Sequence, residues 1–220
     1  MSSIAAAPTP SAPLIPAGTR RVLADVIARP SSRVRAFALD AGLVIAGATI
    51  VALLAQVEIP LWPVPITGQT LGVIVVGAAL GAWRGAAALT TYMLVGLAGL
   101  PVFAGFTGTL AAVGKPSFGF VIGFIFSAFV AGWFAERAWD RRPGLAFLGF
   151  AAASAVPFLF GIPYMAFILN VVMGLDYSFS ALLGAGLLPF IVGGLVKAAL
   201  AAAIIPGAWA LVRKADKTKE

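Results

Sequence analysis

The chain reads as six long apolar runs, separated by short segments that hold nearly all of its charges and turn residues. The runs reach or approach the ~20 residues an α-helix needs to cross the ~30 Å hydrocarbon layer of a bilayer. The first extends from Ala36 to Val57 and stops at Glu58, after which Pro60, Pro63 and Pro65 exclude a helix. The second opens at Thr67 and ends near Trp83, Arg84 and Gly85, and the third follows at once from Ala86 to Leu100. Both are short for a perpendicular span. Pro101 to Pro116 is rich in glycine and predicts an irregular connection. The fourth run, Ser117 to Ala135, is closed by Glu136, Arg137, Asp140, Arg141 and Arg142. The fifth, Leu145 to Met173, contains Pro157 and the step Gly161, Ile162, Pro163, which predicts a kink or break inside the membrane. The sixth, Ser180 to Val212, has Pro189 near its start and Pro206 near its end. The expected fold is all-α and integral to the membrane. Its six-helix domain spans 36–212, between a disordered cytoplasmic tail over 1–35 and a basic cytoplasmic tail over 213–220.

Composition supports this reading and narrows the chemistry. The 220 residues are 61% hydrophobic and 10% charged, with a mean hydropathy of +1.03. Cysteine and histidine are both absent, which removes disulfides, thiolate metal sites and the usual general base and metal ligand. No metal site, cofactor or catalysis is expected. The net charge of +7 lies at helix ends, so it reports membrane orientation and not a nucleic-acid partner. Thirteen of the 15 lysines and arginines fall before the first run, at Arg84, between the fourth and fifth runs, or after the sixth. Positive charge collects on the cytoplasmic side of helical membrane proteins, so both termini are expected in the cytoplasm. The Arg-rich, acid-poor start is also compatible with a targeting peptide, although a compact secretory signal is not present.

The remaining two cations mark candidate sites. Lys115 lies in the outer loop 101–116, and Lys197 falls inside the sixth apolar run. A lysine within a membrane span is costly and usually faces a cavity, a partner or a ligand, or else snorkels to the nearer surface. Phe103, Gly105, Phe106 and Thr107 mix apolar anchors with glycines that let backbone amides approach a ligand, or form a flexible turn. Thr67, Gln69 and Thr70 open the second helix at the outer mouth, where free amides and side-chain donors meet; alternatively Thr67 is a cap. Tyr92, Ser127, Tyr164 and Asn170 are embedded polar groups, either ligand contacts or bonds between helices. Ala38, Gly42 and Ala46 form one small-residue stripe on the first helix, Ala48 and Ala52 another, for close packing within the bundle or against a partner. No G-x-x-x-x-G-K-[ST] phosphate loop occurs, so any nucleotide-driven step belongs to another chain. The acids lie at helix ends and are not paired at mid-membrane, which disfavours an ion-coupled secondary transporter.

The string Val64, Pro65, Ile66, Thr67 followed by Gln69, Thr70, Leu71, Gly72, Val73, together with Gly96, Gly99, Leu100, Pro101, Val102, Phe103, Ala104, Gly105, resembles the BioY family. These are the biotin-binding S components of energy-coupling factor (ECF) transporters, and the similarity covers nearly all of Ala36 to Val212. The resemblance implies a multi-pass protein of the cell membrane that captures biotin from outside. Its partners would be a transmembrane coupling protein and two ATPase subunits. It places the pocket near the outer surface, among the loops after helices one and three and helices four to six. The expected contacts are Thr67, Gln69, Tyr92, Phe103, Gly105, Thr107, Phe118, Tyr164, Asn170 and Lys197. Ala38 and Gly42, or Ala48 and Ala52, would face the coupling protein. Two positions depart from the family pattern: Gly194 stands where an Asp is expected three residues before Lys197, and Gly114 to Phe120 replaces the usual G-P-T-G-G-Y/F entry to the fourth helix.

Overall fold

The computed structural model describes residues 22–26 and 32–218; most of the 1–35 tail, with Arg20, Arg21 and Arg29, lies outside the described residues. Helices α1 (Arg33–Ala55), α2 (Gln69–Leu80), α3 (Ala82–Leu97), α4 (Phe118–Glu136), α5 (Pro143–Ala166), α6 (Phe179–Gly186) and α7 (Leu188–Lys217) carry the fold. The hairpin of β1 (Glu58–Ile59) and β2 (Ile66–Thr67) pairs Glu58 with Thr67 and Ile59 with Ile66. Among the described residues, four helical stretches are long and apolar enough to cross a membrane alone: Arg33–Ala55, Phe118–Glu136, Pro143–Val172 and Phe179–Ala215. At 1.5 Å per residue, α2 and α3 reach only about 18 and 24 Å.

Helix α4 lies at the centre against α5, α2 and α3, while α1 covers α2 and α3, and α7 closes against α5 and α2. Glycine permits these crossings. A Cβ at Gly123 would stand 2.6 Å from Cα of Pro157, and one at Gly77 would stand 2.4 Å from the Ala128 carbonyl oxygen. The α4–α5 and α2–α4 contacts are therefore backbone against backbone, which is how helices gain dispersion contact in lipid.

Three boundaries differ from those the sequence predicts. The second helix ends at Gly81, not near Trp83. Gly81 has φ 88°, and the Glu136 carboxylate accepts from the amide of Ala82 at 2.8 Å, capping α3. Helix α5 runs unbroken through Pro157 and Pro163, and then winds into a π-helical turn over Phe167–Val172. Pro157 cannot donate to the carbonyl of Ala153, but the Ser127 hydroxyl donates to that oxygen at 2.7 Å. The sixth run is two helices, parted at Leu187 (φ −124°, ψ −57°). Pro189 occupies the first turn of α7, where a missing amide costs nothing, so it favours a fresh helix start.

Leu23–Val26 forms a 3-10 turn, with Val22 and Ala24 buried. Arg84 of α3 holds it by donating to Asp25 at 2.5 Å and to Asp40 of α1 at 3.3 Å. At the same end Asp140, fully buried, accepts from the Trp209 indole at 2.5 Å.

Candidate ligand-binding site

A cavity of about 450 Å³ opens at the end of the bundle that carries the hairpin. Its walls come from the 58–67 hairpin, the start of α2, the 103–107 loop, the first two turns of α4, the middle of α5 and the first half of α7. Side-chain hydrogen bonds tie several of these walls together. Thr67 Oγ1 donates to Gln69 Oε1 at 2.8 Å, and Gln69 Nε2 donates to the Tyr92 hydroxyl at 2.7 Å. Tyr92 in turn donates to the Val102 carbonyl, so α2, α3 and the 101–107 loop are tied by one buried chain. Gln56, at the end of α1, donates to the carbonyls of Val102 and Phe103 and accepts from the amide of Phe106 at 2.9 Å.

The loop itself closes on a reciprocal pair between Phe103 and Thr107, with Gly105 in the left-handed region at φ 67°. A side chain at Gly96 would strike the tip of the Phe103 ring; the absent Cβ is what lets that ring pack against α3. From there an aromatic series extends, whose middle members Phe103 and Phe118 line the cavity. Phe103 meets Tyr92 edge-on with centroids 5.4 Å apart and Phe118 at 6.3 Å, and Phe118 meets Tyr164 at 6.1 Å. A second cluster, Phe120, Phe158 and Phe190, joins α4, α5 and α7. The edge-on pairs among them, Phe103 with Phe118 and Phe158 with Phe120 and Phe190, suit a ring-bearing guest.

Two cations face this aromatic space. Lys197 Nζ donates to the Thr67 carbonyl at 2.5 Å and to Thr70 Oγ1 at 3.0 Å. An ammonium has three donors, so one remains for a ligand, and among the described residues no carboxylate lies in salt-bridge range of it. Lys115 Nζ, at the mouth, donates to Thr107 Oγ1 at 3.1 Å. Glu58 is the acid among the lining residues. Gly194, one turn before Lys197 on the same helix, also lines the cavity, and a Cβ built there meets nothing within 4 Å.

Of the positions expected to touch a ligand, Thr67, Gln69, Phe103, Gly105, Thr107, Phe118 and Lys197 line the cavity. Tyr92, Tyr164 and Asn170 do not. Tyr92 is buried behind Gln69, and the Tyr164 hydroxyl donates to the Val113 carbonyl at 2.5 Å, anchoring the 110–114 turn. Asn170 exchanges two bonds with the backbone of Tyr177, far along the chain from the cavity walls. Sequence reasoning missed Gln56, Phe120, Phe124, Phe158 and Phe190. The spacing of Phe120 and Phe124 on one face of α4 carried a signal, whereas Gln56 gave none, since its partners lie 46 and 47 residues away. On α1, Ala38 and Gly42 are exposed, while Ala48 is buried and Ala52 half-buried.

Apolar spans, internal backbone crossings and a polar-tipped aromatic cavity together define a helical membrane protein with a cavity of small-molecule size. The model of the BioY family matches residues 28–214, and the chain belongs to that family. It is 38% identical over 172 residues to the biotin transporter BioY of Rhizobium etli, covering 75% of this chain and 86% of that one. It is 36% identical over 154 residues to the biotin transporter BioY of Thermotoga maritima, covering 68% and 83%. The crystal structure of the S-component for biotin from an ECF-type ABC transporter matches with a TM-score of 0.60 at 23% identity, over 80% of this chain and 93% of that one, a likeness of fold.

Proposed function

We propose that this chain is the biotin-binding subunit of an ECF-type transporter, taking biotin into the cavity between the hairpin and α4, α5 and α7. The observation that carries this is the cavity itself. At about 450 Å³ it falls within the ~300–1,000 Å³ range of small-molecule sites. Its aromatic walls suit biotin's apolar bicycle and chain. Lys197 suits the ureido oxygen with its spare donor, and Lys115 at the mouth suits the carboxylate. Thr67, Gln69 and Thr107 supply neutral donors and acceptors between them, and Tyr92, Tyr164 and Asn170 act by positioning.

In this reading α2 and α3 complete six crossings, with both termini in the cytoplasm of a cell-membrane protein. The distribution of 13 of 15 cations on the terminal side supports that orientation. Uptake is energised by a transmembrane coupling protein and two ATPase subunits. The coupling protein meets α1 on the exposed Ala38–Gly42 side, because Ala48 is spent on internal packing. The chain performs no chemistry of its own. Equilibrium binding of biotin to the detergent-purified chain, with thiamine and riboflavin as controls, tests the proposal. Biotin-selective nanomolar binding is expected; selectivity for either control would overturn it.

A further inference from the structure

At the opposite end of α5 and α7 from the ligand cavity lies a second recess, a groove of about 580 Å³. Its floor is made by Ala199, Ala203 and Gly207, spaced four apart on one exposed face of α7, and Phe147 of α5 forms a wall. A Cβ at Gly207 would meet nothing within 4 Å, so the groove is open space rather than a packing contact. Charge appears only at one end, where Arg141 and Arg213 both line it. The Arg141 guanidinium is held over the Trp209 ring, 4.6 Å from its centroid.

The dimensions match one leaflet of a bilayer. At 1.5 Å per residue, the apolar stretch from Ala199 to Gly207 is about 12 Å long, and Arg213 stands about 9 Å further. Half of a ~30 Å hydrocarbon layer is about 15 Å. The groove thus runs through hydrocarbon depth and reaches its two guanidiniums at headgroup level. Guanidinium forks bind phosphate oxygens in pairs, and basic recesses between membrane helices bind anionic headgroups.

We propose that this groove holds one anionic phospholipid, with an acyl chain along Ala199, Ala203 and Gly207 and the phosphate between Arg141 and Arg213. The assignment depends on membrane embedding and not on the identity of the ligand in the other cavity. Native mass spectrometry of the full chain, incubated with phosphatidylglycerol, phosphatidylcholine of the same chains, or inorganic phosphate, tests it. One phosphatidylglycerol per chain is expected in preference to phosphatidylcholine. Retention should fall at least fivefold in R141Q/R213Q, and as much in G207L, which fills the groove and keeps both arginines. R213Q alone, at an exposed position one turn beyond Trp209, serves if the double variant does not fold. Equal retention of phosphatidylcholine, full competition by inorganic phosphate, or unchanged retention in G207L would overturn the proposal. A dimer of the wild-type chain that dissociates in G207L would assign the groove to a second copy instead.

Discussion

The two ends of the molecule use charge in opposite ways. At the end that carries the 22–26 turn, cations and carboxylates meet: Arg84 joins Asp25 to Asp40, Glu136 caps α3, and Asp140 takes the Trp209 indole. At the cavity end, among the described residues, Lys197 and Lys115 bond only neutral oxygens, and hydroxyls, amides and prolines stand where the other end has ion pairs. The contrast separates charges that hold the fold from charges kept available for a guest. An unpaired ammonium beside aromatic walls is expensive unless a ligand completes its coordination, so its survival within an apolar helix marks the site.

Substitutions should separate the two ends, beginning with those of largest effect. G123L forces a side chain into the α4–α5 crossing beside the Pro157 backbone. It should cost about 3 kcal/mol and lose folded protein, read as recovery on size exclusion. W209F removes the indole donor from fully buried Asp140, whose Oδ1 already has no partner among the described residues. A loss of about 2 kcal/mol in thermal or denaturant unfolding is expected, with biotin affinity unchanged. K197A should do the reverse, weakening biotin at least about tenfold, roughly 1.4 kcal/mol, with little change in melting temperature.

A subtler effect concerns pH. Burial raises the Asp140 carboxyl above its usual 3.8, while the Trp209 donor and the nearby Arg141 charge oppose the rise. The folded chain therefore holds this proton to higher pH than the unfolded chain does. Below 3.8 both forms are neutral and the group contributes nothing. As pH climbs through 3.8 toward the raised folded value, the unfolded chain ionises first and stability falls. D140N, which keeps an acceptor for Trp209, should flatten that fall in unfolding curves recorded as pH rises from 3.8. R84Q should cost no more than about 1 kcal/mol, because the Asp25 and Asp40 pairs are partly exposed and solvent screens them.

Hydrophobic runs were enough to read the helical, membrane-embedded class, because burial in lipid imposes a pattern no soluble fold shares. Helix breaks were less legible. Pro157 and Pro163 predicted a kink or a break, and the helix is not broken there: Ser127 on another helix rescues the carbonyl freed by Pro157, a tertiary compensation that local sequence cannot display. Gly81 ended α2 through a positive φ that resembles any other membrane glycine until Glu136 is seen capping the next helix. Lys197 stood out because a single charge in an apolar run is conspicuous. Tyr92, Tyr164 and Asn170 were equally visible as embedded polar groups, but their partners, Gln69, Val113 and Tyr177, decide that they support the walls and do not face the cavity. Phe158 and Phe190 were indistinguishable from lipid-facing phenylalanines until the fold brought them to Phe120.

The central claim is that biotin occupies this particular cavity, and biotin titration of the wild-type chain beside G194L tests it most directly. Gly194 borders open cavity space, so a leucine there should leave the fold intact and occupy the volume a ligand needs. Tight one-to-one binding by the wild type and at least about a tenfold loss in a normally folded G194L is the predicted result; biotin binding equally well to both would contradict the account.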